Sequence, residues 1–98
     1  MGSYAKPNIL VVDDVDLNIY YLVDVIKPLN VNIITAFSGK EALMKIRDQE
    51  LSLALIDVQM PGMDGLELAT IINADRTRDI VPVIFITAHS YNELPIEN

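Results

Sequence analysis

Cysteine is missing from this 98-residue chain, and histidine occurs once, as His89. Without cysteine there is no disulfide framework and no thiolate metal centre. Basic residues are few: 7 Lys and Arg stand against 14 Asp and Glu, a formal charge of -7. A surface this acidic repels phosphate backbones, so direct nucleic-acid binding is not expected. No apolar run approaches the roughly 20 residues that a membrane helix needs, so no membrane insertion is expected. The opening "MGSYAKPN" lacks the apolar stretch of a signal peptide, and Lys6 stands where a myristoylation site requires Ser or Thr. A cytoplasmic protein is the resulting expectation, with residues 1–7 read as an N-terminal tail or cloning remnant. Repeats, low-complexity tracts and linkers are also missing, which leaves residues 8–98 as one domain.

Hydrophobic residues make up 51% of the chain, too many for disorder and enough for a core in a single small domain. Ile9-Leu10-Val11-Val12 is a continuous apolar run, as a strand buried on both faces requires. Leu17 to Lys27 carries apolar residues at helical spacing (Ile19, Leu22, Val23, Ile26), and Pro28 disfavours helix at Lys27, ending or kinking it there. Asn32 to Ala36 reads as a second strand. Ser38 and Glu41 form a capping box opening a helix that is expected to run to about Asp48. Leu53 to Ile56 is a third strand. Met60-Pro61-Gly62-Met63 fits a type II turn, with Pro61 setting φ and Gly62 taking the positive φ. Asp64 and Glu67 form a second capping signal, before a helix carrying Leu66, Ala69, Ile71 and Ile72. Pro82 can start the fourth strand, Val83 to Ile86, without losing a needed donor. Ser90 and Glu93 offer a third capping signal, cut short by Pro95.

The pattern is βαβαβαβ, an α/β chain with a doubly wound parallel sheet and helices on both faces. Ligands of such sheets bind beyond the carboxyl ends of the strands, where the winding reverses. If the strand order is 2-1-3-4, that reversal lies between the first and third strands. Asp13 and Asp14 end the first of these and Asp57 ends the third, so all three carboxylates converge. Like charges held close repel by several kcal/mol at an effective dielectric of ~20, so such a cluster calls for a cation. Oxygen donors alone favour Mg²⁺ over zinc. Asp57 could then act as a nucleophile on phosphorus, forming an acyl phosphate, while the cation offsets charge repulsion. Pro61 and Gly62 would hold the following loop so that a backbone carbonyl, that of Gln59, faces the metal. Thr87 could hydrogen-bond a phosphoryl oxygen, with the small Ala88 leaving space beside it.

The three motifs "ILVVDD", "LIDVQMPGMDG" and "PVIFITA" resemble the receiver domain of response regulators and hybrid histidine kinases. The match runs from Asn8 to about His89, and Asn18 and the "DVQMPGMDG" loop are especially similar to receivers of hybrid kinases. The resemblance implies a flavodoxin-like fold and a signalling function rather than an enzyme, at most self-phosphorylating from small donors. Asp57 would accept phosphate from the histidine of a kinase or phosphotransfer partner. Asp14 would be the direct Mg²⁺ ligand, Asp13 would act mainly through water, and Thr87 would be the switch hydroxyl. Residues like Gln59 and His89 tune phosphate lifetime in the family. Receivers also carry a lysine at the end of a fifth strand and a last helix. Neither follows Thr87 here, so a C-terminally truncated receiver is expected, with the edge of strand four and residues Ala88 to Asn98 forming a homo-oligomer contact.

Blander readings accompany these. Three aspartates after strands could simply cap helices, although one acid per helix suffices. Thr87 could be a β-branched residue finishing a strand, and His89 a surface residue. Met60 and Met63 read as loop and packing residues, and Lys40, Lys45 and Arg47 as a solvated face. Of Tyr20 and Tyr21 at least one is expected to pack. Two other functions compete. A haloacid-dehalogenase-like phosphatase would use Asp14 as nucleophile, Asp16 as acid/base and Thr87 on phosphate, but it leaves the Asp57 loop unexplained. A shortened pseudo-receiver would dock a partner without phosphorylation.

Overall fold

A computed structural model of the chain describes residues 5–74 and 79–87. Its elements are β1 (Asn8–Val12), α1 (Asp16–Ile26), β2 (Asn32–Ala36), α2 (Gly39–Lys45), β3 (Leu53–Asp57), α3 (Gly65–Ile72) and β4 (Val83–Ile86). The four strands form one sheet, parallel as the alternation of apolar runs and helices predicts, in the order β2-β1-β3-β4 assumed above for the site.

Alternate residues of each strand feed two separate cores. Leu10, Val12, Ala54 and Ile56 point to one face, where Ala42 and Ile46 of the α2 segment and Leu68 and Ile72 of α3 cover them. Ile9, Val11 and Leu55 point to the other, where Ile19 of α1 is buried with them and Leu22, Val23 and Ile26 complete the contact. The sheet is therefore covered on both faces.

Local chemistry explains most of the element ends. At the close of α1, Pro28 sits inside a single 3₁₀ turn, Lys27–Leu29, and Asn30 takes a left-handed φ of 61° to lead into β2. Lys27 itself stays helical, at φ -61° and ψ -28°, contrary to the expected effect of the following proline; the α-helical bonding stops because Pro28 has no N–H to continue it. The Ser38 hydroxyl accepts from the Glu41 amide at 3.0 Å, as expected. Glu41, however, reaches back one residue further than a standard capping box, accepting from the Phe37 amide at 2.7 Å. α2 also ends at Lys45 instead of near Asp48, because Ile46 already leaves helical geometry at φ -96°, ψ 6°. Lys45 is drawn back toward its own helix start, donating to the Thr35 carbonyl at 2.6 Å and pairing with Glu41 at 3.1 Å.

Polar side chains fasten the opposite end of the sheet. Asn8 donates to the Glu50 carbonyl at 2.8 Å and accepts from the Asn32 amide group at 3.1 Å. Asn73, just past α3, donates to the Val81 carbonyl at 3.0 Å and accepts from the Val81 N–H at 2.7 Å, so one side-chain amide holds both backbone groups of a buried residue at the approach to β4.

Three further expectations need correction or restriction. Neither Tyr20 nor Tyr21 packs: they are 66% and 69% exposed, because the inward stripe of α1 runs through Ile19, Leu22, Val23 and Ile26. The capping signal at Ser90 and Glu93 and the edge contact through Ala88 to Asn98 lie outside the described residues. Ile84 and Phe85 of β4 are exposed among those that are described. No helix among the described residues is long and apolar enough to cross a membrane.

Candidate functional site: a carboxylate cluster at the carboxyl ends of β1 and β3

β1 and β3 are hydrogen-bonded neighbours with Val12 opposite Ile56, so the residues that leave them at this end emerge side by side. Asp13, Asp14 and Asp57 each place a carboxylate oxygen within 4.8 Å of the others. The geometry brings together the three acids singled out in the sequence. Asp13 and Asp57 are buried, at 0% and 1% exposure, while Asp14 is open to solvent.

The three carboxylates are not equivalent. Asp13 Oδ1 accepts from the Val15 N–H at 2.9 Å, and its Oδ2 from the Asn18 side chain at 3.2 Å. It therefore does part of the helix-entry work considered above as a bland reading, because the α1 cap residue Val15 has no side-chain cap of its own. Asp57 Oδ1 accepts from the Gln59 N–H at 3.3 Å, but Asp57 Oδ2 is buried with no hydrogen-bond partner among the described residues. A buried carboxylate oxygen left unpaired is costly, and in a folded protein it asks for an external partner. Burial, and then the charge of Asp13, push the Asp57 carboxyl up to about 6, the Gln59 N–H opposing and Asp14 adding to the rise. A divalent cation bound by oxygens fits this donor set: it would meet the orphaned oxygen and offset the crowding of like charge.

The loop after Asp57 is held at both ends. Val58 donates to the Ile86 carbonyl at 3.0 Å, tying the loop's start to β4, and Gly65 donates back to the Val58 carbonyl at 3.0 Å. Asp64 and Glu67 form a full capping box, with Asp64 Oδ1 accepting from the Glu67 N–H at 2.8 Å and Glu67 accepting from the Asp64 N–H at 3.2 Å. Gly62 carries the positive φ, 76°, that the Pro61-Gly62 turn requires. Met60 is buried and Met63 packs on the same core, as packing residues should.

One residue that matters here escaped the sequence reading. Gly65 opens α3 directly against the backbone of Asp57: a Cβ there would run into the Asp57 carbonyl oxygen and lie 3.0 Å from Ile56 Cγ2. The only sequence signal was a glycine directly after the helix-capping Asp64. Thr87 follows the Asp57-paired residue Ile86, and with Asn18, Tyr21, Leu22 and Ile86 it lines a groove of about 220 Å³ between α1 and the end of β4. Asn18, which binds Asp13, thus links that groove to the acid cluster. Ala88 lies outside the described residues.

The sequence profile of the response regulator receiver domain matches residues 9–98. This chain belongs to the response regulator receiver family. Among curated relatives, the receiver is 32% identical over 83 residues to the aerobic respiration control sensor protein ArcB of Escherichia coli K12, covering 84% of this chain and 11% of that protein. It is 36% identical over 95 residues to the transcriptional regulatory protein ZraR of the same organism, covering 97% of this chain and 21% of that protein. The chain therefore spans about a tenth to a fifth of the length of these relatives. Among solved structures, the Vibrio cholerae chemotaxis protein CheY4 superposes with a TM-score of 0.78 at 25% identity, over 91% of this chain and 74% of that one. The response regulator TrrA of Thermotoga maritima, solved in complex with Mg(2+)-BeF, superposes with a TM-score of 0.75 at 33% identity, over 89% of this chain and 74% of that one. The four-stranded 2-1-3-4 sheet is thus the flavodoxin-like fold of these neighbours, and the receiver is a signalling module of two-component systems.

Proposed function

We propose that this receiver is a phosphoacceptor, taking a phosphoryl group from a phosphohistidine of a kinase or phosphotransfer partner onto Asp57. The observation that carries the reading is the buried, unpaired Asp57 Oδ2 beside two further carboxylates. In the transfer, a carboxylate oxygen of Asp57 attacks phosphorus, the new O–P bond forming as the P–N bond breaks. The departing imidazole nitrogen keeps the electron pair and takes a proton from solvent. Only the ionised carboxylate can attack, and with the carboxyl titrating at about 6 it is mostly ionised at neutral pH.

Asp14 and Asp57 would hold Mg²⁺ directly, with Asp13 acting through water and the Gln59 carbonyl completing the protein's share. Bound there, magnesium would offset the repulsion between the carboxylates and the incoming phosphoryl oxygens. Asp13 has a second task in this scheme, since its bonds to Val15 and Asn18 orient the start of α1 against the cluster. The Thr87 hydroxyl would bond a phosphoryl oxygen, with Ala88 as its small neighbour. The Mg(2+)-BeF complex of the TrrA neighbour supports the choice of ion.

Incubating the protein with a phosphohistidine donor or acetyl phosphate and locating the acid-labile phosphate by peptide mass spectrometry tests the proposal. Phosphate on Asp57, abolished in Asp57→Asn and by chelation of Mg²⁺, is the expected result. Phosphate on Asp14 would favour the phosphatase reading, and no phosphate with partner binding intact would favour the pseudo-receiver.

A further inference from the structure

We infer that Gly39, at the start of α2, is a positioning residue for the Asp57 site and acts through Met63; the inference rests on the metal-dependent reading just given. The loop from Asp57 to Gly65 is pinned at its two ends by backbone bonds and by the capping box. Its middle has fewer anchors. Pro61 and Gly62 are exposed, and a Cβ on Gly62 would meet nothing within 4 Å. The side chains that tie this middle to the body are the buried Met60 and the half-buried Met63.

Met63 lies across Gly39. A Cβ added to Gly39 would sit 2.7 Å from Met63 Sδ, 3.1 Å from its Cγ and 3.2 Å from its Cβ. The close approach includes Met63 Cβ, next to the loop backbone, so relief requires more than a swing of the flexible thioether end. Gly39 itself has no left-handed φ to justify a glycine; the positive-φ glycine is Gly62. What Gly39 provides is an open slot. The slot has a firm floor, because Ser38 caps Glu41 and Glu41 holds Phe37 on either side of it. The Met63 side chain seated there sets the lateral position of the loop segment whose carbonyl, at Gln59, is proposed to face the metal. α2 contributes no carboxylate to the cluster, yet through this contact its N-terminus fixes the geometry of the cluster's loop.

The test is a double-mutant cycle in the intact protein, reading Mg²⁺ affinity from amide shifts of Val58, Gln59 and Gly65 and, separately, the thermal midpoint in chelator. Gly39→Ala should weaken Mg²⁺ binding about tenfold, the lower end of what supporting residues around a metal site are worth. Alanine is the better helix former, so propensity alone would raise the midpoint and cannot mimic this loss. In a Met63→Ala background the same substitution should cost much less, because the Sδ and Cγ contacts at 2.7 and 3.1 Å are gone and only the residue-63 Cβ, at 3.2 Å, remains. Unchanged affinity in Gly39→Ala, whatever its midpoint, overturns the inference. So does an equal loss in both backgrounds, which would show that Gly39 does not act through Met63. If Gly39→Ala does not fold, Met63→Ala carries the test: several-fold weaker Mg²⁺ binding that Met63→Leu restores supports the inference, and unchanged affinity overturns it. A wild-type protein without any Mg²⁺-dependent shift would instead remove the metal reading on which the inference rests.

Discussion

Helices α1 and α3 flank the same carboxylates, but different forces hold them there. α3 is seated by shape. Its first residue, Gly65, touches the Asp57 backbone, Leu68 is fully buried, and the Asp64–Glu67 box closes its start. α1 packs its apolar stripe on the sheet, but its start beside the carboxylates is set by polar bonds. Val15 offers it no side-chain cap, Ile19 is its one buried residue, and Asp13 takes the Val15 N–H and the Asn18 amide. Its outward side carries Leu17, Tyr20 and Tyr21, all strongly exposed. A change in volume near the site is therefore felt through α3, whereas a change in charge at Asp13 is felt through α1.

The sharpest way to break this contrast is at Gly65. Gly65→Ala should destabilise the fold by about 4 kcal/mol, above the ordinary range for overpacking, because the obstacle is a backbone carbonyl and not a side chain that can turn away. Urea unfolding measures it; a cost below about 1 kcal/mol would mean that α3 is not fixed by contact with Asp57. Next comes the paired truncation of one leucine from each helix. Leu68→Ala should cost about 3 kcal/mol, while Leu17→Ala, at a position 72% exposed, should stay within about 0.5 kcal/mol.

Charge gives a third and smaller effect, of opposite sign. The Asp57 carboxyl titrates at about 6 in the fold against an ordinary value of 3.8, so the folded state holds the proton more tightly than the unfolded chain. Stability is then lost as pH rises from about 4 to 6, and the full penalty is present above pH 6. Asp57→Asn should accordingly stabilise the protein by about 2 kcal/mol at pH 7.5 in chelator, a gain that shrinks toward zero near pH 4. Denaturant titrations across that range check both sign and slope. The smallest effect compares the two helix starts. Asp64→Ala should cost α3 about 1 kcal/mol, whereas Val15→Ser should stabilise α1 by a few tenths, since it supplies a cap acceptor that the helix start lacks.

The same contrast explains what could be read from the sequence. Three of the strands were legible because each is built on a continuous apolar run (residues 9–12, 53–56 and 83–86), whereas β2 mixes Asn32 and Thr35 with its apolar residues; the acid cluster followed once the order 2-1-3-4 placed the ends of β1 and β3 together. The caps at Ser38 and Asp64 were legible because capping is a short-range interaction. Lys45 and Ile46 show where local reading stops: periodicity continues past Lys45, but the backbone turns at Ile46. Tyr20 and Tyr21 failed for a related reason, since helical spacing defines a stripe but not how wide a face the sheet can cover. The roles of Gly39 and Gly65 were invisible because a missing side chain announces nothing about what lies against it. Asn18 was noticed only by resemblance; its bond to Asp13 is a fact of the folded chain.

The Asn73 amide also bears on how the chain reaches this structure. A parallel strand must wait for its crossover to fold before it can find a neighbour, and that wait is an entropic one. Asn73 and Val81 are eight positions apart, and the side chain of one closes that interval with two bonds, an amount of ordering usually obtained only by zipping along a ladder. In the folded chain this clasp holds the residue that leads into β4 against the end of α3. The docking of β4 should therefore depend less on the length of the connection than on whether residue 73 can offer both a donor and an acceptor.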